Sequence, residues 1–247
     1  MAHSDIAPDG SDESPLLSNC ILWKLTFAIA ALALLTLGIS LGSRWLGERM
    51  ALGGHTESRQ DFLVTVGQDR LKLAANTIRF RDQRHDGVVE HVDLYLAWPE
   101  LEGYSASLRS RFDDISQPAS LIFLQLSQSI MSRDMSGRVE PIYTRLFDGP
   151  PEKAPFGLTL HRMRADSGYG EEVVLTAQQG SQEPYAVRCL LPMQGEKPTN
   201  GDCQRDIRVG QDLTILYRFS SGLLRDWRQI DSAVRAFVEK RLVDGRG

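Results

Sequence analysis

Cys189 and Cys203 stand fourteen positions apart, and between them runs LLPMQGEKPTNGD. Pro, Gly, Asn and Asp dominate that stretch, each a turn former for its own reason. A hairpin with a long tip brings both thiols within bridging reach. A bridge closing a loop of about 15 residues stabilises by about 3 kcal/mol through chain entropy. It also implies an oxidising compartment. The alternative is two unpaired thiols acting as small core hydrophobes. The third cysteine, Cys20, follows LLSN. That sequence resembles a lipoprotein box, but it precedes the apolar run instead of following it.

The histidines are His3, His55, His85, His91 and His161. His3 and His55 fall in segments that read as unstructured. His85 and His91 lie six apart across an expected turn, with Asp86 and Asp93 close by. Two imidazoles and a carboxylate can hold a metal if they converge. Nothing in the spacing fixes convergence, and solvated strand faces carry such residues routinely. No metal ligand and no cofactor is assigned.

Residues 131–143 (MSRDMSGRVEPIY) form the most polar irregular stretch. Arg133 and Arg138 on a loop can grip an anion. The plainer reading is preferred: Arg133 and Asp134 brace the loop through hydrogen bonds. There is no HExxH, CxxC, P-loop or dinucleotide fingerprint. Gly38-Ile39-Ser40-Leu41-Gly42 matches a hydrolase nucleophile elbow, but that motif needs a strand-turn-helix. No catalytic residue is assigned.

That match sits inside the stretch around which the chain is organised. Leu25 to Ser43 contains no charge. Nineteen residues at about 1.5 Å each give roughly 28 Å of helix, close to bilayer thickness. Trp23 and Trp45 bracket it, as interfacial aromatics do. Residues 21–45 are therefore read as one transmembrane helix in contact with the lipid bilayer. Gly38 and Gly42 lie on one face of it and suit packing against a second helix. A cleaved signal peptide is the competing reading, but its apolar run is shorter.

The placement of the remainder rests on two opposed arguments. Lys24 precedes the span while Arg44, Arg49 and Arg59 follow it, which by positive-inside counting keeps the large domain inside. Long domains translocate largely regardless of flanking charge, and the cysteines point outward. The expectation is a bacterial inner (cytoplasmic) membrane protein with its N-terminus inside and its C-terminal domain in the periplasm. Net charge is −4, all of it accounted for by Asp5, Asp9, Asp12 and Glu13 in the first twenty residues. Beyond the span the chain is close to neutral, which lacks the basic face that nucleic acid needs.

Residues 1–20 read as a disordered acidic tail and 46–60 as a short linker or a frayed helical extension. From 61 to 247 a β-rich domain is expected. Phe62, Val64 and Val66 alternate, as do Leu71 and Leu73. Val92, Leu94, Leu96 and Trp98 share one face. Residues 78–98 read as a hairpin turning at 84–87. Leu121–Leu126 reads as a central strand or short buried helix. Glu140–Phe147 reads as a short helix with Ile142, Leu146 and Phe147 inward. Gly149-Pro150-Pro151 then breaks the chain. Strands are expected at 158–163, 172–177, 185–191, 205–209 and 213–219, giving a mainly antiparallel meander. Val66-Gly67-Gln68-Asp69 recurs as Val209-Gly210-Gln211-Asp212; four residues make no repeat, and each reads as a tight turn. Leu223, Trp227, Ile230, Val234, Phe237 and Leu242 form one stripe of a C-terminal amphipathic helix started by Ser220 or Ser221.

The runs LYLAWPELEGYS, MSRDMSGRVEPIY and CQRDIRVGQDLTILYRF resemble a small family of uncharacterised single-pass membrane-anchored bacterial envelope proteins, over residues 60 to 240. The resemblance implies an anchored exported domain and carries no activity or site residues.

The sequence thus predicts an α+β protein: a transmembrane helix, a mainly antiparallel β-rich domain and a C-terminal amphipathic helix. The function expected is a non-enzymatic interaction or scaffolding module with an envelope protein partner, possibly a second copy. The alternatives are an anchored hydrolase or ligand-processing enzyme with a dispersed site, and a small-ligand sensor that needs a partner to carry its signal.

Overall fold

The computed structural model describes residues 19–51, with the side chains of 23–39, and residues 54–169, 171–178, 184–193 and 195–243. The chain divides into two units, Met1–Gly53 and Gly54–Gly247. In the first, helix α1 spans Asn19–Ala51. Its apolar side chains from Trp23 to Ile39 are exposed, Phe27 at 74% and Leu34 at 69%. Among the described residues no helix is long and apolar enough to cross a membrane. The side chains described in α1 stop at Ile39, short of Ser43 where the uncharged stretch ends. Nothing lies within 4 Å of where a Cβ would stand on Gly38. Gly42, Cys20 and the acidic tail expected at 1–20 lie outside the described residues or side chains.

The second unit is α+β. Strands β1 (Asp61–Val66), β2 (Asp69–Ala74) and β3 (Gly87–Val88) form a small sheet in the order β2-β1-β3. The main sheet has eight strands: β4 (His91–Ala97), β5 (Leu121–Gln128), β6 (Phe147–Lys153), β7 (Thr159–Met163), β8 (Val173–Ala177), β9 (Tyr185–Cys189), β10 (Cys203–Val209) and β11 (Leu213–Phe219). Their order is β4-β5-β11-β10-β9-β8-β7-β6, antiparallel throughout. The last six strands run as a meander, and the β4–β5 pair is laid against β11. Helix α2 (Arg109–Asp113) is a single turn, and α3 (Trp227–Glu239) closes the fold.

Period-two alternation explains the core. Val92, Leu94 and Leu96 on β4, Ile122, Leu124 and Leu126 on β5, and Leu213, Ile215 and Tyr217 on β11 are all at or below 1% exposure. Val64, Val66, Leu71 and Leu73 of the small sheet join the same core, as do Trp227, Ile230, Val234 and Phe237 of α3. The helical stripe packs inward as its spacing requires. Ser220 starts that segment, its hydroxyl accepting from the Gly222 amide.

Three expectations are corrected. Residues 78–98 do not form a full hairpin: the two arms meet at an isolated antiparallel bridge, Ile78 with Leu94. Residues 81–83 coil into a 3-10 turn, Arg84 donates to the Ile78 and Arg79 carbonyls, and the Asp93 amide donates to Gln83 Oε1 instead of to a partner strand. The chain then pairs β3 with β1, in parallel. Residues 140–147 are not a helix: only Tyr143–Leu146 make a 3-10 turn, and Ile142 is exposed. Finally, Gly149-Pro150-Pro151 does not break the chain. It sits within β6 on the sheet edge, where the register shifts between Asp148 and Glu152. Proline donates nothing, so an edge strand with a bulge is where it is tolerated. It also blunts that edge against further strand pairing.

Candidate functional site: the open face of the sheet

One face of the main sheet is closed by α3 and core. The other is divided. Over β7, β8 and β9 the excursion 129–146 covers it, and Met135 and Tyr143 bury against Met163, Val174 and Ala186. At the β4 end His55, Tyr104 and Phe112 cover Tyr95. Between the two covers lies an uncovered trough.

The ladder sets its floor. Arg218 pairs with Phe123, and Leu216 with Gln125, which pairs in turn with Asp93. A pocket of about 120 Å³ holds Arg79, Asp93, Phe123, Gln125, Leu216 and Arg218. A second, of about 220 Å³, shares Gln125 and Leu216 and runs to Ile130, Met131, Arg133 and Arg138. The two are one trough. Its far end carries Ile130 at 94% exposure and Met131 at 53%.

The charges in it are unequally engaged. Asp93 accepts from Gln83 Nε2 at 2.9 Å and Gln125 Nε2 at 3.3 Å, and lies 3.4 Å from His91 Nε2. Asp206 is ion-paired with Arg138. Arg79 lies over the rings of Phe80 and Phe123, 5.0 and 5.1 Å from their centroids. Arg218 is exposed, and no hydrogen bond or ion pair holds it among the described residues. Among the described residues the trough therefore offers two guanidinium groups, Arg79 and Arg218, with no side-chain hydrogen bond.

The residues singled out from sequence separate. Cys189 and Cys203 are bonded, with 4.0 Å between Cα atoms. They pin β9 to β10 at the top of a ladder that ends one residue later, at Gln204 and Arg188. His85 Nδ1 lies 2.9 Å from the Asp86 carbonyl oxygen, and His91 faces Asp93, so the two rings serve different partners. The loop 131–143 is braced: Asp134 accepts from the Gly137 amide at 3.1 Å, and Arg208 donates to the Ser132 carbonyl at 2.9 Å. Among the described residues Arg133 reaches the Gly137 carbonyl, at 3.4 Å, and stays exposed.

His55 was missed by sequence reasoning, which placed it in a linker. Residues 54–60 are instead fastened to the domain: Ser58 and Gln60 carbonyls accept from Asn76 and Ala75 amides. His55 Nδ1 lies 3.0 Å from the Tyr95 hydroxyl and Nε2 lies 3.2 Å from Asp113. Its ring stacks on Tyr104 with centroids 4.6 Å apart. Burial pulls the imidazole below its ordinary value, against the raising effect of Asp113. Burial also pushes the Tyr95 phenol up to about 12. A carboxylate, imidazole and phenol in a row resemble a relay, but Tyr95 and Tyr104 are each 2% exposed. The row is a clasp whose phenol end is buried and whose Asp113 end is exposed. Glycine spacing in ALGGH signals a linker, and nothing local reveals a clasp made with residues forty positions on.

Inside the core, Arg205 donates to Asp231 at 2.8 Å, to Ser136 Oγ at 2.8 Å and to the Ala186 carbonyl at 2.8 Å. The Tyr217 hydroxyl donates to the same Asp231 oxygen at 2.7 Å. This network ties β10, β11 and α3 together and plugs the gap where β9 and β10 diverge.

No protein-family model matches the chain, and no curated protein matches it. Among solved structures it is similar to an immunity protein of the Stenotrophomonas maltophilia type IV secretion system, with TM-score 0.49 and 16% identity over 77% of this chain and 95% of that one. It is also similar to the iron-regulated outer membrane lipoprotein FrpD of Neisseria meningitidis, with TM-score 0.43 and 12% identity over 75% of this chain and 95% of that one.

Proposed function

We propose that this chain is a membrane-anchored envelope module that works by binding a protein partner. Its N-terminus stays inside, α1 holds it in the inner membrane, and the β-rich domain stands in the periplasm. The observation that carries the binding role is the trough. It is an uncovered stretch of the sheet, floored by half-buried Phe123 and Leu216 and edged by exposed Ile130 and Met131. Apolar side chains interleaved with arginine are the composition of a protein-binding patch. The uncharged run 25–43 and the exposed apolar side chains of α1 support the anchor. The Cys189–Cys203 bond supports an oxidising compartment. Gly38 and Gly42 offer a place for a second copy's helix.

Thiol labelling with a maleimide polymer in intact and permeabilised cells tests the topology. Cys189 and Cys203 are expected to label only after reduction. The chain is expected to stay with membranes through a carbonate wash, and protease added after outer-membrane permeabilisation is expected to digest the domain. Free labelling without reductant, release by carbonate, or full protection from protease each overturns the placement.

A further inference from the structure

We infer that the trough is a carboxylate-reading dock, with Arg79 and Arg218 gripping acidic side chains of a partner segment whose apolar residues rest on Leu216, Ile130 and Met131. This rests on the protein-binding reading above and names the chemistry of the partner.

Charge complementarity carries it. Both trough acids are engaged from within: Asp93 by Gln83, Gln125 and His91, and Asp206 by Arg138. Arg79 and Arg218 have no carboxylate to pair with among the described residues. Phe123 lies between them: Arg79 stacks on its ring, and Arg218 sits directly opposite it on the neighbouring strand. A guanidinium over an aromatic face still has N–H groups to offer, and they match a carboxylate's two oxygens. The geometry prefers Glu or Asp to a neutral amide, because only a carboxylate makes the charge-assisted pair. Beyond this end the floor turns apolar. Leu216 is half-buried, while Ile130 and Met131 are left exposed by a loop whose backbone is braced beneath them. The occupant this fits is a short segment alternating acidic and apolar residues.

The test uses the full-length chain in detergent micelles and a fluorescent peptide of alternating Glu and Leu. It is expected to bind at least ten-fold more tightly than its Gln–Leu twin and to weaken steeply with salt. Arg218→Glu and Arg79→Glu are each expected to cost ten-fold or more. The double reversal is expected to prefer a Lys–Leu peptide, which shows that the variant is folded. Equal binding of the Glu and Gln peptides, failure of the Glu peptide to bind, or indifference to both reversals overturns the dock. A photo-crosslinking residue in cells separates this from failure of the partner reading. Placed at Thr214 in the trough, it is expected to give an adduct that R79E/R218E abolishes. An adduct only from Ile115 or Met193, exposed elsewhere at 88% and 64%, overturns the dock and leaves a partner-binding module. No adduct from any of the three overturns both.

Discussion

The carboxylates of Asp69 and Asp212 are crossed: each caps the backbone of the other's turn. Asp69 accepts from the Gln211 amide at 2.9 and 3.0 Å and from the Asp212 amide at 2.9 Å. Asp212 accepts from the Gln68 amide at 2.9 Å and from Gln128 Nε2 at 2.7 Å. The two VGQD turns have the same left-handed glycine, Gly67 at φ +59 and Gly210 at φ +63. A Cβ on Gly67 would stand 2.7 Å from the Asp212 carboxylate, and one on Gly210 would meet Asp69. The recurrence is thus a mutual clamp between the small sheet and the main one.

Asp69→Ala is expected to destabilise the chain by about 1–3 kcal/mol, since it leaves the Gln211 and Asp212 amides without their acceptor. Gly210→Ala adds a left-handed penalty of about 1–2 kcal/mol and a collision with Asp69. In the Asp69→Ala background the collision disappears, so Gly210→Ala is expected to cost less there. A double-mutant cycle from denaturant unfolding reads this coupling. Additive losses would show that the turns do not touch in solution.

The disulfide is expected to matter most for half of the sheet. β9 meets β10 at only two residue pairs, Cys203 with Cys189 and Gln204 with Arg188. Everything from β6 to β9 hangs on that short ladder, the 129–146 cover and the core. Reduction is expected to cost about 3 kcal/mol. Hydrogen exchange is expected to accelerate in β6–β9 before β4 and β5. Uniform acceleration would mean that the bond secures the whole domain equally.

Asp231 holds a charge that cannot be left alone. Arg205 is 4% exposed and Asp231 is its ion-pair partner. Burial alone would lower the guanidinium, but Tyr217 and Asp231 beside it keep it raised and charged. Asp231→Ala is expected to cost about 3–5 kcal/mol, because it leaves an uncompensated buried cation. Arg205→Met together with Asp231→Ala is expected to recover part of that loss. Thermal unfolding of the three variants decides it, and a double variant no better than Asp231→Ala would refute the account.

Legibility in the sequence followed the range of the cause. Val92, Leu94 and Leu96 alternate because one face of β4 is core, and two-residue periodicity is written locally. The helical stripe from Leu223 to Phe237 is local in the same way. Cys189 and Cys203 were legible as a pair because a short stretch rich in turn formers separates them. The 78–98 segment misled because Arg84 satisfies carbonyls five and six residues back, a choice that no alternation records. Pro150 and Pro151 read as a break because strand position, edge or centre, is decided by strands far off in sequence. The trough was invisible for the same reason. Arg79, Phe123 and Arg218 are brought together by the pairing of β5 with β11 and by an isolated bridge between Ile78 and Leu94. His55 needed Tyr95, Tyr104 and Asp113 at once.

That clasp gives the domain a pH dependence with a definite sign. Burial holds the folded-state value of His55 below 6.5, its ordinary value, so the folded protein resists the proton that the unfolded chain accepts. Stability is therefore full above about pH 6.5 and falls as pH drops through that value towards the depressed folded one. His161, half-buried against Phe147 and lowered by the same cause, has the same sign. The two are separable by position. His55→Phe keeps a ring to stack on Tyr104 but cannot charge, so it is expected to flatten part of the acid slope between pH 7.5 and 5.5. It also loses the contacts to Tyr95 and Asp113, so its stability at pH 7.5 is expected to be lower. His161→Phe is expected to flatten the remainder and leave the 54–60 segment protected from hydrogen exchange, whereas His55→Phe is expected to expose it. An acid slope unchanged by His55→Phe would mean that the imidazole takes up its proton without leaving the clasp, with Asp113 outweighing burial.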